Sequence, residues 1–127
     1  MALRLEAHHM SFPVRNLARS RAFYEGVLGL AEIPRPAGLG IPGVWYRAGA
    51  CEVHLIETPP GVDVGVPAPT LTPLARHAAF AVDDYEATLK HLREQLTEVL
   101  ATSPQLGQIW VRDPDGHVLE FIVPRES

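Results

Sequence analysis

The strongest constraint on this chain is that its two halves carry one pattern. The segment H-M-S-F-P-V-R-N-L starting at His9 is answered by H-A-A-F-A-V-D-D-Y starting at His77, so that His9, Phe12 and Val14 recur as His77, Phe80 and Val82 at one constant offset. Further along, Trp45-Tyr46-Arg47 is answered by Trp110-Val111-Arg112. After one residue of slack in the following turn, Val53-His54-Leu55-Ile56 is answered by Leu119-Glu120-Phe121-Ile122. Two blocks matched in the same order imply a duplicated supersecondary unit whose halves bury their apolar faces together. Each half holds about 55 residues, marginal for folding alone. The chain therefore reads as one domain over 1–127, made of module one (about 5–58), a linker (59–75) and module two (about 76–125). The linker region, Thr58 to Pro73, carries Pro59, Pro60, Pro67, Pro69 and Pro73, which remove backbone donors and exclude helix or central strand.

Periodicity gives each half the same elements. Residues 7–14 alternate, with Met10, Phe12 and Val14 on one face and His9, Ser11 and Pro13 on the other. Asn16 is a suitable N-cap for a first helix, whose apolar side includes Leu17, Ser20, Ala22, Phe23, Val27 and Leu30, with Tyr24 as core and Gly29 as the terminating glycine. Residues 31–43 read as loop, and Gly43–Ala48 with Glu52–Glu57 as a hairpin turning near Gly49 and Ala50. In the second half His77–Val82 is a strand, and Asp83-Asp84 cap a helix with Tyr85, Leu89, Leu92 and Leu96 as its stripe. A short strand is expected within 97–101. A hairpin then joins Gln108–Arg112 to His117–Val123 through Asp113-Pro114-Asp115-Gly116.

Composition removes several classes of function. Hydrophobic residues at 46% and charged residues at 20% suit a packed globular chain. No apolar run is long enough for a membrane helix, and the first residues form no extended apolar segment of the secretory kind. A net charge of −4 argues against a nucleic-acid partner. A lone cysteine, Cys51, allows no internal disulfide and sits in a turn without a paired base, so a cytoplasmic location is expected and a catalytic thiol is not.

The repeat also singles out the chemistry. His9 and His77 occupy one equivalent position, and His54 and Glu120 the other. All four lie on the strand faces opposite the apolar residues, where pairing of the modules would bring them to one surface. Three imidazoles and one carboxylate suit a divalent first-row ion (Zn, Ni, Fe, Mn or Co) and leave it a net charge of about +1 for an anionic oxygen. A single strand histidine is more often structural; four polar residues at repeat-equivalent positions favour a metal. His8 has the opposite parity to His9 and is expected to face away. His91 on the outer helix face and His117 on a turn are expected in solvent, as is Glu57 at its strand end. Ser11 and Glu52 share the inner face and stand as candidate substrate contacts. So do Trp110, repeat-related to Trp45 though suited to packing, and Arg76, beside His77.

In these residues the chain resembles the vicinal oxygen chelate superfamily, also called the glyoxalase, bleomycin-resistance and extradiol dioxygenase superfamily. The likeness lies in His9 on the first strand, Phe23-Tyr24 and Leu28-Gly29 in the first helix, His77 opening the second module, and Asp113-Pro114-Asp115-Gly116 followed by Glu120. The resemblance implies an α+β fold of two βαβββ modules, with curved mixed sheets around a metal cleft, often in a homodimer. It implies His9, His54, His77 and Glu120 as metal ligands, with Glu120 left as the proton-shuttling carboxylate and His54 as a further candidate acid-base. The implied function is a divalent-metal-dependent lyase or isomerase of the glyoxalase type, acting on a small substrate chelated through neighbouring oxygens. Two alternatives stand beside it. One is an Fe(II) extradiol dioxygenase, with His9, His77 and Glu120 as its two histidines and one glutamate. The other is a metal-free, drug-binding resistance protein, a class whose ligand positions are usually replaced. Glyoxalase I-like enzymes usually carry Glu where this chain has His54, which weakens a lactoylglutathione lyase assignment.

Overall fold

A computed structural model describes residues 1–125 and divides the chain into two compact units, Met1–Val64 and a second from Gly65 onward. The two are built alike. Unit one contains β1 (His9–Val14), α1 (Leu17–Arg21) running into a π-helical turn (Ala22–Val27), β2 (Ala31–Ile33), β3 (Gly43–Ala48) and β4 (Cys51–Glu57). Unit two contains β5 (His77–Ala81), α2 (Tyr85–Gln95), β6 (Leu100–Ala101), β7 (Gln108–Arg112) and β8 (Val118–Ile122). The sheet orders are β1-β4-β3-β2 and β5-β8-β7-β6, and in each the first strand pairs parallel with the last while the other pairings are antiparallel. A parallel pair cannot be closed by a tight turn, so the helix and the intervening strands supply the crossover. The fold is α+β, with two four-stranded mixed sheets, as the repeat anticipates.

One face of each sheet carries the core. In unit one Tyr24 is fully buried between Phe12 and Tyr46, with ring centroids 6.1 and 6.3 Å away, and Val14, Val44, Val53 and Leu55 are sealed beside them. In unit two Leu89 and Leu92 of α2 are buried with Ile109, Val111, Leu119 and Phe121, and Phe80 stacks on Phe121 at 5.8 Å. Burying each such side chain is worth about 1.5–3 kcal/mol.

Several local expectations are corrected. The segment 31–43 is not all loop: Ala31–Ile33 pairs with β3, a run too short to show a period. Ala22 is exposed while both Phe23 and Tyr24 are buried. The reason is the π-turn, in which Leu28 N–H donates to Phe23 C=O and residues are displaced around the axis. Glu57 is half-buried rather than solvated, because its Oε2 accepts the free Leu17 N–H at 2.9 Å while Asn16 Oδ1 accepts from Arg19 N–H. A carboxylate at a helix N-terminus is favourable. His117 is half-buried, drawn in by its N–H donating to Asp113 Oδ1, the buried carboxylate that organises the Asp113–Gly116 turn. Gly116 is required there: its φ is +88° and a Cβ would come within 2.9 Å of Pro67.

Candidate functional site

The strand registers place the candidate residues on the face of each sheet opposite the helix. In unit one His9 lies opposite Glu52, and Ser11 opposite His54, which in turn lies opposite Trp45. In unit two His77 lies opposite Val118, and Ala79 opposite Glu120, which lies opposite Trp110. Each first-strand histidine is therefore in register with the residue two positions before the second candidate ligand, and each second ligand has a tryptophan as cross-strand neighbour.

In unit one His54 is buried and wedged. Its ring stacks on Trp45 at 4.0 Å with an interplanar angle of 2°, and on His9 at 4.0 Å and 14°. Its Nε2 lies 2.9 Å from Glu52 Oε1. That bond, opposed by desolvation and helped by Arg47 and His8, holds the Glu52 carboxyl below the usual carboxylate range. His8 is exposed, with its Nδ1 2.8 Å from His9 Nδ1. Its C=O accepts from Glu52 N–H at 2.9 Å, which carries the β1–β4 pairing one residue further. Ser11 is exposed on the same face.

In unit two Glu120 is buried and bonded at both oxygens. Its Oε1 lies 2.9 Å from His77 Nε2 and accepts from Trp110 Nε1–H at 3.2 Å; its Oε2 accepts from Gln108 Nε2–H at 3.3 Å. Trp110 thus touches the site through its N–H as well as packing. Gln108 was not anticipated, although its position two residues before Trp110 puts it on the same face. Arg76 is exposed, one residue before β5. A cleft of about 300 Å³ between the end of α2 and the Asp113–Gly116 turn excludes His77 and Glu120. Its carboxylates are occupied, Glu98 by Arg112 and Asp113 by backbone N–H groups.

The donor set of unit two can be tested for a metal. His77 Nδ1 lies 2.8 Å from Ala75 C=O, which only accepts, so Nδ1 carries the hydrogen. In the neutral ring Nε2 is then a lone pair facing a carboxylate oxygen at 2.9 Å. Two electron-pair donors at that distance share a cation, which is either a proton, giving an imidazolium bonded to both acceptors, or a metal ion. Metal–ligand bonds of about 2.0–2.2 Å set adjacent ligand atoms about 3 Å apart at a right angle. A second partner on the other ring nitrogen is also how metal-binding imidazoles are oriented. The pair fits a divalent ion. Among the described residues no group of three or more His, Cys, Asp or Glu is placed to hold one.

Comparison with known proteins follows the same lines. Residues 6–121 match the family model of the Glyoxalase/Bleomycin resistance protein/Dioxygenase superfamily. The chain belongs to this superfamily. Within it, the chain is similar to Glyoxylase I 4 of Arabidopsis thaliana, 28% identical over 120 residues that cover 90% of this chain and 68% of the relative. A glyoxalase family protein from Bacillus anthracis shares the fold at a TM-score of 0.79 and 24% identity, covering 98% of this chain and 99% of that one. TnmS3, an antibiotic binding protein from a Streptomyces species, does so at 0.71 and 21%, covering 98% and 99%. One superfamily fold thus serves a glyoxalase family protein and an antibiotic binder, so function here must be argued from the side chains. Among the described residues no helix is long and apolar enough to cross a membrane.

Proposed function

We propose that this protein is a divalent-metal-dependent enzyme of the glyoxalase type, a lyase or isomerase acting on a small substrate that offers two neighbouring oxygens. Its ligands would be His9, His54, His77 and Glu120, in a superfamily where divalent metals are typical. The observation that supports the reading is the His77–Glu120 pair: with Nδ1 bonded to Ala75 C=O, Nε2 stands 2.9 Å from a buried carboxylate, a place that a proton fills in the free protein and a divalent ion would fill when bound. When bound, the ion supplies Lewis acidity toward the substrate oxygens.

The chain's own residues set the rest. Three neutral imidazoles and one carboxylate leave the centre a net positive charge, which suits a substrate that becomes anionic. Glu120 Oε2 receives only the 3.3 Å bond from Gln108, so it is the carboxylate oxygen best free to accept a proton. His54, buried between two rings, presents an imidazole that cannot swing away. Ser11, exposed beside it, and Arg76 stand as contacts for the substrate's polar groups.

Elemental analysis of the purified protein, with dialysis against a chelator, tests the reading. A stoichiometric divalent metal is expected in the wild type and lost in His77→Ala. A metal-free wild type, with small-ligand binding unaffected by chelator and by His77→Ala, overturns it in favour of a binding protein.

A further inference from the structure

Glu52 lies outside the ligand set, yet it makes the shortest polar contact to His54. The ring of His54 has three constraints. Trp45 covers one side at 4.0 Å, and His9 also stacks on it at 4.0 Å, which fixes the ring plane. Glu52 Oε1, 2.9 Å from Nε2, fixes which edge faces which way. A carboxylate accepts and does not donate, so the hydrogen of this bond sits on Nε2. In the neutral imidazole the lone pair is then on Nδ1. Unit two shows the reverse arrangement, with Ala75 C=O taking the Nδ1 hydrogen of His77 and leaving Nε2 as the donor atom.

We infer that Glu52 is a positioning residue that locks His54 in its Nε2–H tautomer, so that Nδ1 is the atom His54 offers to a divalent cation. This rests on the metal reading above for its consequence, but not for the tautomer itself. Strand register makes Glu52 suited to the task. It stands directly opposite His9, two residues before His54 on β4, so its side chain rises on the same face. At 14% side-chain exposure it is shielded enough for the bond to hold, and Arg47 Nη2 at 3.5 Å from its second oxygen, Oε2, steadies the carboxylate. The equivalent position in unit two is Val118, which can play no such part, and there the orienting acceptor is a backbone carbonyl. Partners of this kind typically govern metal affinity by about 10–100-fold.

Two measurements test the inference separately from the metal reading. Long-range ¹H–¹⁵N correlation spectra of the metal-free protein report the tautomer of each histidine. His54 is expected as Nε2–H in the wild type and as a mixture in Glu52→Ala; a wild-type His54 that is mainly Nδ1–H overturns the assignment whether or not the protein binds metal. Titration with Co(II) reads the consequence. Glu52→Ala is expected to lose about 10–100-fold in affinity, and Glu52→Gln, whose amide oxygen still accepts from Nε2–H, to stay close to wild type. Equal losses in both variants would mean that the carboxylate charge itself is needed, and no loss in either that the ring is held by stacking alone; both overturn the positioning role. If the wild type takes up no metal while His54 is Nε2–H, the proposed function fails and the tautomer lock stands.

Discussion

The two helix-free sheet faces share a register and differ in how they hold their central residue. His54 in unit one is fixed by ring stacking on Trp45 and His9 and by one bond to Glu52. Glu120 in unit two occupies the equivalent position and is fixed by hydrogen bonds from Trp110 and Gln108 and by its pairing with His77. The repeat duplicated where a side chain stands and left open how it is restrained. A neutral ring is held by dispersion and shape, a carboxylate by donors, and each tryptophan serves in the mode its neighbour requires.

Substitutions can break or sharpen this contrast. The largest losses are expected on the helix-covered faces, where the two units should behave alike. Tyr24→Ala is expected to cost about 3–5 kcal/mol and Leu119→Ala about 2–5 kcal/mol in denaturant unfolding. A marked difference between them beyond these ranges would show that one unit dominates stability. Next comes Trp110→Phe, which removes an N–H donated to a buried carboxylate and is expected to cost about 1.5–3 kcal/mol. Trp45→Phe keeps an aromatic face against His54 and is expected to cost less than about 1 kcal/mol. Equal losses for the two tryptophans would break the comparison.

The smallest effect belongs to an exposed ionic contact of unit one. Arg21 bridges Glu32 of β2 and Glu25 of the π-turn, and the Arg21 bond holds the Glu32 carboxyl below its usual range. A carboxyl depressed in the folded state contributes stability above its unfolded pKa and loses it as pH falls through the folded value. Glu32→Gln should therefore match wild type in acid and fall slightly below it at neutral pH, as read by melting temperature across the acid range. A larger neutral-pH deficit than that of Trp45→Phe would reverse this order.

Much of the architecture was legible because the repeat is written in residues that alternate. The parity of Met10, Phe12 and Val14 against His9 and Ser11 assigns the faces, and the offset from His54 to Glu120 assigns the equivalent positions. The three-residue strand Ala31–Ile33 was not legible, since three residues carry no period and its pairing with β3 is tertiary. The π-turn was hidden because the helical stripe assumes regular spacing. The burial of Glu57 was hidden for another reason: at an element's end, the partner across space decides, and the sequence names no partner. The bonds of Glu52 and Gln108 depend on cross-strand registry, which parity suggests and only paired strands reveal.

The chain has two tryptophans, and each lies against a candidate ligand, Trp45 on the ring of His54 and Trp110 on the carboxylate of Glu120. Its indole fluorescence therefore originates entirely on the two histidine-bearing faces. A paramagnetic ion arriving on either face would darken the indole it reached, and the two single-tryptophan variants would report each face by its own colour and intensity.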